Sequence, residues 1–92
     1  MEMSLINMKK SIPILILTLR KRLGLSQEKL AVQLGVSFQT VNRWERGRTQ
    51  PSHLALQAIK QKLIEMDQEG ADLLFLYFGC DLNQINEENC QN

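Results

Sequence analysis

Between residues 12 and 80, apolar side chains recur at intervals of three and four, and glycines interrupt the rhythm. Ile12, Ile16, Leu19 and Leu23 fall on one helical face, Pro13 suits a first turn, and Gly24 stops the run, so the pattern predicts a first helix over 12–23. Ser26 then reads as the N-cap of a second helix that turns Leu30, Ala31 and Leu34 inward. That helix ends at Gly35, where a left-handed residue lets the chain bend sharply. Ser37 caps a third helix, anchored by Val41 and Trp44 and ending at Gly47. Pro51 and Ser52 open a fourth, with Leu56, Ile59 and Leu63 on one face. Gly70 is expected to separate it from a last apolar stretch, "ADLLFLYFG". We read this stretch as a helix, because it follows four helices and finds no strand partner in the sequence. The expected fold is all-α with five helices. Residues 1–11 are expected to be a flexible N-terminal segment and 81–92 a disordered acidic tail.

Two short helices joined by a tight turn at Gly35 make a helix-turn-helix, in which the second helix can enter a DNA major groove while the first lies across the backbone. Val41 and Trp44 anchor that second helix, so Phe38, Gln39, Asn42, Arg43 and Arg46 project the other way. Gln and Asn can pair bidentately with adenine, Arg with guanine, and Phe can touch a thymine methyl. Trp44, three residues from Val41, is expected in the core rather than stacked on bases.

Charge sharpens this picture once it is divided along the chain. The formal net charge is only +1, but from Lys9 to Lys62 eleven Lys and Arg face two acids, Glu28 and Glu45. From Leu63 onward there are seven acids and no Lys or Arg. A basic block of that density can neutralise phosphates, whereas an acidic tail is ordinarily solvated. Lys60 and Lys62 are expected to be solvated, and His53 to lie at the surface near a helix start.

Other chemistries find little support. Cys80 and Cys90 lack metal-ligand spacing and His53 is the single histidine, so no zinc site can be assembled. The two cysteines are expected to be free thiols in a reducing cytosol. "MKKSIPILILTL" resembles part of a signal peptide, but Arg20, Lys21 and Arg22 follow it instead of a small-residue cleavage site, and the apolar run is too short to span a bilayer. An enzyme is not expected, for want of a nucleophile, an acid pair or a metal set, and no cofactor is implied.

The run "LRKRLGLSQEKLAVQLGVSFQTVNRWERGRTQPS" resembles the Cro and phage-repressor class of helix-turn-helix domains, often called XRE-like, over roughly Ile16 to Leu63. The elements "GLSQ", "LA", "LGVS", "TVNRWERG" and Pro51 keep their order and spacing. The expected organisation is a helix-turn-helix DNA-binding domain over 12–65, followed by a C-terminal helix over 66–80. The resemblance implies the roles of the residues within that domain. It places Phe38, Gln39, Asn42 and Arg43 toward base edges, and Ser26, Gln27, Thr40, Arg46 and Arg48 toward the DNA backbone. Gln27 could instead brace the reading residues. It also implies that Arg20 pairs with Glu45, the one acid in an otherwise cationic recognition segment. Phe38 departs from the polar residue common at its position, and would either read a methyl group or pack on Gln27.

Ile14, Leu15 and Leu17 of the first helix, and "LLFLYF" of the last, carry more apolar surface than single solvent-facing helices need. Either these surpluses cover each other within one chain, or Leu73, Leu74, Phe75, Tyr77 and Phe78 form a dimer seam. The expected partners are double-stranded DNA and a second copy of the chain. The expected function is a cytoplasmic, sequence-specific repressor on an operator of two half-sites. An antitoxin that gives its C-terminal segment to a toxin is one alternative, and an interaction module without DNA binding is another.

Overall fold

The computed structural model describes residues 11–81 of the chain. They form five helices and no strand: α1 (Ile12–Leu23), α2 (Gln27–Leu34), α3 (Phe38–Glu45), α4 (His53–Glu65) and α5 (Gln68–Phe78). The expected flexible N-terminal segment and acidic tail lie outside the described residues, apart from Ser11 and Asp81.

Serine chemistry starts four of the helices. Ser11, Ser26, Ser37 and Ser52 hold extended backbone angles, and each hydroxyl accepts a hydrogen bond from the amide three residues on, one of the donors that a helix start leaves unpaired. Gly35, at φ 76°, ends α2, and the amides of Gly35 and Val36 close onto the carbonyls of Val32 and Ala31. A side chain at that φ would be strained, so glycine allows the abrupt turn into α3.

All the helices contribute to one core. Leu15, Ile16 and Leu19 of α1, Leu30 of α2, Val41 and Trp44 of α3, Ile59 and Leu63 of α4, and Leu74 of α5 are each no more than 2% exposed. α1 and α2 both pack on α3, and α4 packs on α5. Trp44 is a core side chain, as its spacing from Val41 predicts.

Several expectations need correction. Gly70 does not separate α4 from α5; it is buried inside α5, where a Cβ would run into the Leu63 carbonyl and lie 3.1 Å from its Cα. Glycine here permits close backbone approach rather than a break. The actual break is at Met66 and Asp67, with Asp67 at φ 55°. Lys60 is not solvated: it is 8% exposed, on the inward side of α4. Lys62 is largely covered as well, and its ammonium lies 3.5 Å from Glu65.

Cys80 is not a free thiol but disulfide-bonded, and it is 1% exposed; Cys90 lies outside the described residues. Its burial follows from how α5 ends. Gly79 is left-handed, and the amides of Gly79 and Cys80 bond back to Phe75 and Leu74, so the chain turns inward and tucks Cys80 against the core. Cysteine usage therefore no longer supports a reducing compartment. No described helix is long and apolar enough to cross a membrane.

Of the two apolar surpluses, much is used within the chain. Leu15, Leu73 and Leu74 are in the core, while Leu76, Tyr77 and Phe78 are half-buried. The Tyr77 hydroxyl donates to the Ser11 carbonyl at 3.1 Å, which fastens the end of α5 to the start of α1. Leu73 and Leu74 are thus unavailable to a dimer seam. Phe75 alone of that set stands well out, at 66% exposure, with Ile14 and Leu17 partly exposed on α1.

Candidate nucleic-acid interface

The eight residues of α3 grade from buried to exposed, with Thr40, Asn42 and Glu45 half-buried between the two extremes. Val41 and Trp44 point into the core, whereas Phe38, Gln39 and Arg43 are exposed and Arg46 stands exposed at the C-cap. At about 100° per residue, Phe38, Asn42, Arg46, Gln39 and Arg43 sweep an arc of roughly 140° centred opposite that core pair. The arc carries amide, guanidinium and aromatic groups, and no acid. Arg48 follows just beyond, also exposed, its amide bonded to the Arg43 carbonyl at 2.9 Å.

Both ends of α3 are held in place. At its start the Ser37 hydroxyl accepts from the Thr40 amide at 3.1 Å and shares a 2.8 Å hydrogen bond with the Thr40 hydroxyl. At its end Glu45 receives the Arg20 fork, Nε to Oε2 at 2.7 Å and Nη2 to Oε1 at 3.1 Å. The remaining Arg20 nitrogen donates to the Leu25 carbonyl at 3.2 Å, so one side chain joins α1, the turn after it and α3. Both partners are largely covered, with 20% of the Arg20 side chain and 11% of that of Glu45 exposed.

The network continues from Glu45 into the base-facing arc. A carboxylate can only accept, so Gln27 presents its NH2 group to Glu45 Oε1, at 2.9 Å. That leaves the Gln27 oxygen to accept from the Asn42 amide at 3.2 Å. Gln27 therefore braces α3 with both ends of its amide. Asn42, half-buried, lends one donor to this chain and keeps its carbonyl oxygen for another partner. Burial would raise the Glu45 carboxyl, but the hydrogen bonds from Arg20 and Gln27 and the guanidinium charge outweigh it and hold the group below its usual range. The hydrogen bond to Glu45 raises the Arg20 guanidinium in turn, against the opposing effect of burial.

A second arginine fork ties α1 to α5. Arg22 meets Asp72 at 2.7 and 3.0 Å and also donates to the Glu69 carbonyl at 2.7 Å. The hydrogen bond from Arg22 lowers the Asp72 carboxyl, with burial opposing. Arg20 and Arg22 are thus committed to acids of the same chain. Lys21, Lys29, Arg43, Arg46 and Arg48 are exposed and make no ion pair among the described residues. Among the described residues, these five are exposed and available to an outside anion.

Ser26 is exposed at the start of α2, where unpaired amides and the helix dipole favour an anion. Lys29 adds an exposed cation to that same first turn, a place signalled in the sequence only by its spacing of three residues from the Ser26 cap. His53 is the first residue of α4, exposed in the wall of a cleft with Ile12, Gln50, Tyr77 and Phe78. Among the described residues no group of three His, Cys, Asp or Glu could hold a metal ion.

The helix-turn-helix family pattern matches residues 16–63. Over 60 residues the chain is 42% identical to an uncharacterized HTH-type transcriptional regulator of Methanothermobacter thermautotrophicus, in an alignment covering 56% of this chain and 87% of that protein. No solved structure matches the chain.

Proposed function

The chain belongs to the helix-turn-helix family, in its Cro and phage-repressor class, and from that premise we propose that it binds duplex DNA sequence-selectively and represses transcription by occupying an operator. The observation that carries this reading is the α3 arc: Phe38, Gln39, Asn42, Arg43 and Arg46 opposite Val41 and Trp44, on a helix braced at both ends. A helix presented in this way enters the major groove with its N-terminal residues against base edges.

Gln39 and Arg43 supply the main hydrogen-bonding readout, each worth about 1 to 3 kcal/mol of discrimination, and Asn42 adds its free carbonyl. Ser26, Thr40, Arg46 and Arg48 contact phosphate, joined by Lys29, and set the register without reading sequence. Gln27 acts from behind as a brace. A homodimer would set two half-sites about 34 Å apart. The support for it is the exposed Phe75 on α5, with Ile14 and Leu17 on α1.

Selection of the full chain on a random duplex library, followed by titration of the enriched duplex at several salt concentrations, tests the reading. Affinity should fall with a slope of about −0.9 in log–log terms for each phosphate contacted. Arg43→Ala should relax preference at one position, while Arg48→Ala should weaken all sequences alike and flatten the slope by about one per copy. No enrichment and no salt dependence would remove DNA binding altogether.

A further inference from the structure

Phe38 is the one apolar side chain on an arc whose other members are amides and guanidinium groups. It is 43% exposed and lies outside the core cluster, so its ring does not contribute to the fold as Val41 and Trp44 do. Packing on Gln27 is the alternative use for it. The Gln27 amide is held by Glu45 and Asn42, and whatever the ring touches on Gln27, 43% of Phe38 stays exposed to a partner.

Phe38 is also the first residue of α3, next to the Ser37 cap. That end of a recognition helix lies closest to base edges. Along the major groove every base presents hydrogen-bond donors or acceptors, and the C5-methyl of thymine is the one apolar group. A phenyl ring pressed on any other edge would strip water from a polar atom and return no hydrogen bond.

We infer that Phe38 selects a 5-methylpyrimidine, so that the preferred site carries a thymine at the position facing the start of α3. This rests on the DNA-binding reading above. It adds a term which that reading does not contain: discrimination between thymine and cytosine by a methyl group rather than by a hydrogen bond. The contact involves no charge, so its contribution stays constant as salt is raised, while the phosphate contribution falls.

The test uses the full chain and the duplex enriched from a random library. Each thymine is replaced in turn by uracil, which removes the methyl and leaves the pairing edge intact. At one thymine per half-site the substitution should weaken binding about fourfold, the equivalent of exposing one methyl-sized group, and other thymines should tolerate it. Phe38→Ala should bind the thymine and uracil duplexes equally at that position, and 5-methylcytosine should outbind cytosine there for the unaltered protein only. The uracil arm needs no variant, so it does not depend on how Phe38→Ala folds. The inference is overturned if uracil is tolerated at every thymine, if the enriched site has no thymine, or if Phe38→Ala keeps the penalty. Enrichment of a defined site with no methyl effect would defeat the Phe38 assignment alone; no enrichment of any sequence would defeat it together with DNA binding.

Discussion

α3 and α5 are both tied to α1 by an arginine fork, yet their sequences reveal their roles to very different degrees. In α3 Val41 and Trp44 fall on one side and Phe38 is the one apolar residue opposite them, so each polar residue of that arc is exposed or half-exposed. In α5 apolar residues run nearly all round, and hydrophobicity alone cannot say which of them face the core. Packing decides it: Gly70, Leu73 and Leu74 go inward, Leu76, Tyr77 and Phe78 are half-covered, and Phe75 stays out. The forks differ too. Arg20 and Glu45 are largely covered and linked on to Gln27, while 33% of the Arg22 side chain and 65% of that of Asp72 remain exposed. The same pairing chemistry is structural in one place and peripheral in the other.

The strongest way to break this comparison is through α5. Leu74 is fully buried, so Leu74→Ala should cost about 4 kcal/mol through lost burial and the cavity left behind. Thermal melts at several concentrations would measure it. A variant as stable as the parent, but shifted toward monomer in equilibrium sedimentation, would return Leu74 to an interface between copies.

Next comes the covered fork. Glu45→Ala leaves the Arg20 guanidinium and the Gln27 amide without their partner and should cost about 3 kcal/mol, at the lower end for buried pairs. pH supplies a second readout. The Glu45 pKa is lowered on folding, so its contribution is fully present above the ordinary carboxylate value of about 4.3 and is lost as pH falls through the lower folded value. The stability gap between parent and variant should therefore be widest near neutrality and narrow in acid. A gap independent of pH in denaturant titrations would mean that the pair contributes nothing as an ion pair.

Gly70→Ala should cost about 2 kcal/mol, because the added methyl group meets the Leu63 backbone rather than a flexible side chain. A variant that gained stability, as glycine-to-alanine changes at open helical sites do, would show that α4 and α5 do not approach so closely. The smallest effect belongs to the exposed fork. Asp72→Ala should cost less than about 1 kcal/mol, and that little should shrink with added salt. A loss equal to that of Glu45→Ala would erase the distinction between the two forks.

Local chemistry made most of the framework legible. The caps at Ser26, Ser37 and Ser52, the stop at Gly35, and the inward pairs on α2 and α3 follow from hydrogen bonding and helical period, which act within a few residues. Resemblance to a family pointed to the Arg20 and Glu45 pairing, twenty-five residues apart, which no local rule could supply. What escaped was long-range. Glycine signals both a break and a close approach, and only the position of α4 shows that Gly70 is the second kind. Asn42 has the same side chain whether it faces a base or Gln27, and the 3.2 Å contact across two helices commits one of its donors. Lys60 and Cys80 carry no local sign of burial, but the fold turns both inward.

By itself, then, the sequence determined the five helices, the turn between the second and third, and the polar arc of the third, because those depend on period, capping and the contrast of apolar with polar side chains. The tertiary structure alone decided which cations remain free for an anion, which apolar residues of α5 are core, and which amides are already engaged. Those outcomes depend on distances between segments remote in sequence, and a charge or an amide gives no sign of its partner until the helices have packed.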